Sequence, residues 1–192
     1  MNKTRLEAFS DAVIAIIMTV MVLELKTPQG GDLESLKPLL PTFLAYVLSF
    51  IYLGIYWNNH HHMLQATRKV NGKVLWANLH LLFWLSLIPF ATGWMGENHF
   101  EPLPTAVYGA VLLMAGLAYT ILQNKLVHHT EGENTLLGEA VGRDLKGKLS
   151  LIFYLLAIGL AFVNQNISQV IYAVVALMWF IPDRRIEKAM NK

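Results

Sequence analysis

The chain has 192 residues, of which 55% are hydrophobic and only 15% are charged, and its mean hydropathy is +0.43. Soluble domains carry about a quarter charged residues, so this composition is typical of a membrane protein. It excludes a disordered chain, and the lack of cysteine excludes disulfides and thiol-ligated metal clusters. The net charge of +2 gives no indication of a nucleic-acid partner, because the basic residues flank apolar segments.

Six apolar stretches are long enough to cross a bilayer, or nearly so, and they predict an all-α, polytopic membrane protein with one domain over residues 1–192. They run from about Leu6 to Leu25, Leu39 to Asn59, Val74 to Met95, Thr105 to Val127, Leu149 to Val163, and Ile167 to Ile181. Pro38 and Pro41 fall in the opening turn of the second helix, where a missing N–H is tolerated. Pro89 predicts a kink in the third helix.

The positions of the basic residues predict that both termini are cytoplasmic. Thirteen of the 15 Lys and Arg residues fall in alternate loops and at the two ends: Lys3, Arg5, Arg68, Lys69, Lys73, Lys125, Arg143, Lys146, Lys148, Arg184, Arg185, Lys188 and Lys192. The other set of loops holds only Lys26 and Lys37. Cytoplasmic loops carry the excess of basic residues, so this bias sets the orientation and supports an even number of helices. His128, His129 and residues 131–148 then form the one large cytoplasmic connection.

Two carboxylates lie inside the first apolar segment. Glu7 and Asp11 are one turn apart and share a face of the predicted helix. Asp11 also interrupts the apolar run that a signal peptide needs, so we expect this helix to be retained. Because an ionisable group at membrane depth needs a partner, we expect a buried hydrogen-bond layer between the first three helices. The alternative is that these groups are wetted at the membrane surface.

The expected partners in this layer lie at the end of the second helix and the start of the third. They are Asn58, His60, His61, Asn78 and His80. The consecutive residues His60, His61 and His62 do not predict a metal site, because successive side chains on a helix point about 100° apart. Glu24, at the other end of the first helix, is either a charge in the membrane interface or part of a carboxylate ring at a pore mouth.

The segment Arg5-Leu6-Glu7-Ala8-Phe9-Ser10-Asp11 fits the pattern Arg-x-x-x-Phe-Ser-Asp at the start of the first membrane helix. It resembles the signature of the transmembrane protein 175 family of potassium channels, and the resemblance covers essentially the whole chain. A single six-helix repeat is similar to the prokaryotic members, which assemble as tetramers. The resemblance therefore implies a homotetramer in the cell (inner) membrane, surrounded by lipid, with potassium as the transported ion and no cofactor.

The resemblance also implies which residues line the pore. The family's pore lies on the fourfold axis and is lined by the first helix, with apolar rings as its constriction. By position, the constricting isoleucine corresponds to Ile16, and the same face continues through Val20 and Leu23. Thr19 matches a family threonine linked to ion preference. Arg5, Phe9, Ser10 and Asp11 would then anchor this helix to its neighbours.

The residues alone leave other functions open. An apolar stripe on a membrane helix usually faces lipid or the protein core. A buried Asp and His layer is also what a proton leak channel or a proton-coupled secondary transporter needs. A non-conducting scaffold is a further alternative. Enzymatic function has no support, since the sequence contains no metal-ligand array, nucleophile elbow or phosphate-binding glycine loop.

Overall fold

The structure, a computed structural model, describes residues 2–65, 67, 70–130 and 144–180, with only the backbone given for residues 128–130. Several residues on which the sequence predictions depend lie outside this part: Arg68, Lys69, residues 131–143, Ile181, Pro182, Arg184, Arg185, Lys188 and Lys192. In the described residues, every regular element is helical. The predicted fold class is thus confirmed at the level of an all-helical protein with long apolar helices.

Five helical spans are long and apolar enough to cross a membrane among the described residues. They comprise α1 (Lys3–Leu23), a short 3₁₀ helix (Glu34–Leu39) leading into α2 (Leu40–Gln65), α3 (Gly72–Ser86) followed by α4 (Ile88–Glu97), α5 (Pro102–Thr130), and α6 (Leu145–Phe180). The second and fourth predicted helices are extended, to Gln65 and to Thr130 respectively.

The predicted kink at Pro89 is a break between two helices. α3 ends at Ser86, Leu87 forms the joint, and α4 begins at Ile88 with Pro89 in its first turn. Proline lacks the N–H that would donate to the carbonyl four residues earlier, so the hydrogen-bond ladder is interrupted here. The two pieces still form one apolar span from Gly72 to Glu97.

The last span, α6, is folded back on itself at Asn164, whose backbone is extended (φ −158°, ψ 104°). The Ser168 hydroxyl donates to the Ala157 carbonyl at 2.7 Å, and the Trp179 indole N–H donates to Ser150 Oγ at 2.7 Å. A straight helix would separate the second pair by about 44 Å, so the arms before and after Asn164 run antiparallel. The arms lie where the sequence predicts separate fifth and sixth helices.

The core lies between α2, α5 and α6 and is built around tyrosines. Tyr52, Tyr108 and Tyr172 are at most 2% exposed. Each hydroxyl has a partner: Tyr52 donates to the Tyr172 carbonyl (2.7 Å), Tyr172 to the Thr105 carbonyl (3.1 Å), and Tyr108 pairs with Ser49 (2.9 Å). Gly109 lets the Tyr172 ring approach α5, because a Cβ there would overlap the phenol oxygen. α3 and α4 pack against α5, and α1 packs on α2, α3 and α4.

Candidate functional site

The first helix has two contrasting long faces. One face is buried in the protomer and consists of Leu6, Ser10, Ile14, Ile17 and Met21. The spacing of these residues is that of a single helical stripe. The Asn2 side chain accepts from the Thr4 N–H at 3.1 Å and caps the helix start. One stripe of α1 is therefore fully buried, its flanks at Glu7, Asp11, Val13 and Met18 are half-buried, and the side away from the stripe is exposed.

A chain of hydrogen bonds that begins at Ser10 of this stripe joins α1, α3 and α2. The Ser10 hydroxyl donates to the Leu6 carbonyl (2.8 Å) and accepts from Asn78 Nδ2 (2.9 Å), while Asn78 Oδ1 accepts from His60 Nε2 (2.7 Å). Ser10, Asn78 and His60 all have 0% exposure. Because an amide oxygen only accepts, His60 must carry its proton on Nε2. Its Nδ1 is buried without a hydrogen-bond partner among the described residues.

Glu7 and Asp11 each lie against a separate side chain of α2. The Trp57 indole N–H donates to Asp11 Oδ1 at 3.1 Å, and His61 Nδ1 lies 3.4 Å from Glu7 Oε1. Trp57 and His61 are themselves stacked, with ring centroids 6.1 Å apart. Two carboxylates one turn apart on α1 thus face an indole and an imidazole one turn apart on the antiparallel helix α2.

The structure brings together some of the expected partners and not others. His60 and Asn78 join Ser10, and His61 faces Glu7. The expectation that Asp11 bonds to one of these polar residues is wrong, since its donor is Trp57.

Asn58 is half-buried without a hydrogen bond of its side chain to another described residue, and His80 instead accepts from Trp84 Nε1 within α3 at 3.0 Å. At the start of α1, Arg5 is exposed and its side chain forms no hydrogen bond or ion pair to a described residue, while Phe9 is half exposed.

Trp57 is the partner of Asp11 that the sequence interpretation missed. The sequence contains a spacing that indicates this contact, because Trp57 and His61 are four residues apart, as are Glu7 and Asp11. On antiparallel helices, two such pairs meet when the register is right. Indole is apolar and carries a single N–H donor, which suits it to a carboxylate at a membrane boundary.

The opposite side of α1 presents apolar side chains to the outside of the protomer. Ile16 is 60% exposed and Leu23 is 78% exposed, with Val20 at 37% between them. Thr19 lies beside this stripe and is also exposed, but its hydroxyl donates to the Ile16 carbonyl at 2.9 Å. The four predicted pore positions are therefore exposed in the protomer, and the one hydroxyl among them is satisfied by its own helix.

A groove of about 560 Å³ runs beside the stripe, between Ile16, Val20 and Glu24 of α1 and Phe90, Gly93 and Trp94 of α4. Glu24 is exposed and packs against Gly93, where a Cβ atom would lie 3.1 Å from Oε2. Nearby, Lys26 and Glu97 form an ion pair at 2.8 Å. The far end of α1 thus places the Glu24 carboxylate and the Lys26–Glu97 ion pair at one end of the groove.

Fold and site together define the class of the protein. It is a helical, multi-pass membrane protein in which the polar groups of α1 to α3 tie helices together. Among the residues described, no three carboxylate, imidazole or thiol side chains are grouped as metal ligands. The histidines at positions 60 and 61 diverge toward Asn78 and Glu7.

Comparison with known proteins gives the family. The family model described as the endosomal/lysosomal potassium channel TMEM175 matches residues 5–89. A potassium channel of Chryseobacterium sp. (strain P1-3) is 57% identical over 192 residues, which is 100% of both chains. The endosomal/lysosomal proton channel TMEM175 of Mus musculus is 30% identical over 148 residues, covering 68% of this chain and 30% of its own length.

A solved structure has the same fold. The crystal structure of a lysosomal potassium-selective channel TMEM175 homolog from Chamaesiphon minutus superposes with a TM-score of 0.81 at 25% identity, covering 94% of this chain and 97% of that one. The chain belongs to the TMEM175 family, whose members are ion channels and not enzymes.

Proposed function

We propose that the protein is a potassium-permeable cation channel in which α1 of each of four identical subunits lines a central pore. Each subunit would cross the cell membrane six times, with both termini in the cytoplasm. Ile16 would form the narrowest ring, Val20 and Leu23 would continue the wall, and Thr19 would lie beside it. The relatives named potassium channels support the choice of ion.

The observation that carries this proposal is the contrast between the two faces of α1. One face is anchored to α2 and α3 by the buried chain from Ser10 through Asn78 to His60. The other exposes Ile16 and Leu23 over more than half of their surface. Because the buried hydrogen bonds fix the rotation of α1, its exposed apolar face is suited to pack against the same face of other subunits around an axis.

The chemistry of ion sorting follows from the side chains that the ring would contain. Four isoleucines around an axis make a constriction without liganding oxygens, so an ion must shed part of its hydration shell to pass. Potassium loses water at a lower free-energy cost than sodium, which gives a preference. A dry ring also closes easily by dewetting, so the same residues would gate and select.

A second candidate is proton conduction, which is favoured by the name of the mouse relative as a proton channel. His60 provides a buried imidazole nitrogen without a partner in the described residues. A proton-coupled transporter is the weaker form of this candidate. Its coupling site would be expected near the bilayer midplane, whereas the Asp11–Trp57 pair lies in the first half of α1.

Flux into liposomes tests these candidates. Purified protein is reconstituted with potassium inside and sodium or an impermeant cation outside. Potassium loss is followed in the presence of a protonophore, so that proton entry balances the charge, and internal pH is followed in a parallel sample that contains a potassium ionophore instead. The proposal predicts rapid potassium loss without a coupled solute, and slower sodium flux in the reversed arrangement. Potassium flux that saturates and requires a second ion would indicate a transporter, and pH changes without potassium movement would indicate a proton channel.

A further inference from the structure

The groove beside the apolar stripe is open at the surface of the protomer, and the exposed side of α1 lies at the same surface. We infer that the groove between α1 and α4 receives the opposite flank of α1 from the next subunit, the flank formed by Ala15, Thr19 and Val22. This inference rests on the proposed fourfold pore and specifies its subunit contact. The contact is heterologous, because a different surface of each subunit takes part on each side.

The angles around α1 place the two surfaces where a ring requires them. At 100° per residue, and with Ile16 directed at the axis, Val20 lies about 40° to one side and Thr19 about 60° to the other. In a fourfold ring, the two neighbouring copies of the same helix lie about 45° from the direction of the axis, one on each side. The groove contains Val20 and so faces one neighbour, while Thr19 faces the α1 of the other. Ala15 and Val22, at about 100° and 120° on the Thr19 side, are directed past that α1 toward the α4 beside it.

The groove and the entering flank of α1 also lie at the same depth along the helix axis. Contacts of Ser10 with Asn78, Glu24 with Gly93, and Lys26 with Glu97 show that α1 runs in the same direction as α3 and α4. Phe90 therefore lies about one turn before the level of Glu24, near the level of residue 21. Rotation about an axis moves no residue up or down, so the neighbour presents Thr19 and Val22 at this depth.

The chemistry of the entering flank suits a helix contact in lipid. Ala15 and Thr19 are exposed and one turn apart, and side chains of this size let two helix backbones approach closely. Val22 is 48% exposed and adds apolar area opposite Phe90, which is 62% exposed. The Thr19 hydroxyl already bonds to the Ile16 carbonyl, so burying it leaves no donor unsatisfied.

Cysteine cross-linking tests the contact directly, because the chain contains no cysteine. The variant Val22→Cys/Phe90→Cys is purified in native-like membranes, treated with a short bismaleimide and run on a denaturing gel. The inference predicts a ladder of dimer, trimer and tetramer that ends at the tetramer, since each subunit links to two neighbours. The matched control is Val22→Cys/Phe162→Cys, because Phe162 is also 62% exposed but lies on α6. We expect severalfold less cross-linked product from this control.

The other outcomes separate this contact from the proposed pore. Native mass spectrometry and potassium flux are measured on the same uncross-linked sample, which also shows that the variant folds. An intact, conducting tetramer without cross-links would overturn the contact, with lipid filling the groove, and would leave the pore standing. Products that stop at the dimer would overturn the heterologous geometry. Loss of the tetramer in the unmodified protein as well would instead overturn the proposed function.

Discussion

Replacing Asn78 with leucine tests whether the hydrogen-bond chain anchors α1. Asn78 has 0% exposure and bonds to His60 at 2.7 Å and to Ser10 at 2.9 Å. Leucine has a similar size, so the main loss is polar. Ser10 keeps its bond to the Leu6 carbonyl, but the buried His60 N–H loses its acceptor.

The expected magnitude follows from these partners. A buried donor left unsatisfied costs about 1–3 kcal/mol, and the lost bond to Ser10 adds about 1 kcal/mol. Burial of the leucine methyl groups stabilises the folded protein and offsets part of this loss, so we expect a net destabilisation of about 2 kcal/mol. His60 is especially sensitive because its Nδ1 already has no partner among the described residues.

The assay is reversible unfolding in mixed micelles, followed by tryptophan fluorescence, with the free energy of unfolding as the readout. Asn166→Leu is the matched control, since Asn166 is exposed near the turn of α6, and we expect its effect to stay within about 0.5 kcal/mol. An Asn78→Leu protein as stable as the control would refute the anchoring role of this chain.

Three further predictions concern single contacts. Ile16→Asn should raise cation flux in liposomes and weaken the preference for potassium, because it wets the narrowest ring; unchanged flux and selectivity would remove Ile16 from the pore. A double-mutant cycle of Asp11→Ala and Trp57→Phe, each of which removes one partner of the bond, should give a coupling of about 1 kcal/mol in the same unfolding assay, and additive effects would contradict the observed bond. Gly96→Ala should cost about 1–3 kcal/mol, because its Cβ would lie 2.5 Å from Thr42 Cα; wild-type stability would show that α2 and α4 separate easily.

Local chemistry made part of this fold predictable from the sequence. Pro89 removes an N–H, and the break before it follows from that property alone. The reversal at Asn164 lies in the short polar gap between two apolar runs, and the Asn164 side chain stabilises it by accepting from the Asn166 N–H at 3.0 Å.

Partner choice between helices was not predictable in the same way. Spacing placed Glu7 and Asp11 on one face, but only the rotation and register of α2 decide that Trp57, and not Asn58, meets Asp11. Likewise, the hydroxyls of Thr92 and Ser49 lie 2.7 Å apart, but the Thr92 hydroxyl also lies 2.7 Å from the Ile88 carbonyl of its own helix, and the sequence does not decide between these two acceptors. An apolar helix in lipid carries little periodic signal, so its buried face depends on tertiary packing.

Accessibility of a cysteine at position 16 tests the pore directly. Ile16→Cys protein in liposomes is exposed to a small, charged, membrane-impermeant thiol reagent during potassium flux, with Phe162→Cys as the control of similar exposure in the protomer (62% against 60%). If Ile16 lines an aqueous pore, the reagent reaches the thiolate and inhibits flux in the first variant only. Unmodified cysteine and undiminished flux in Ile16→Cys would place this face of α1 against lipid and contradict the proposed channel.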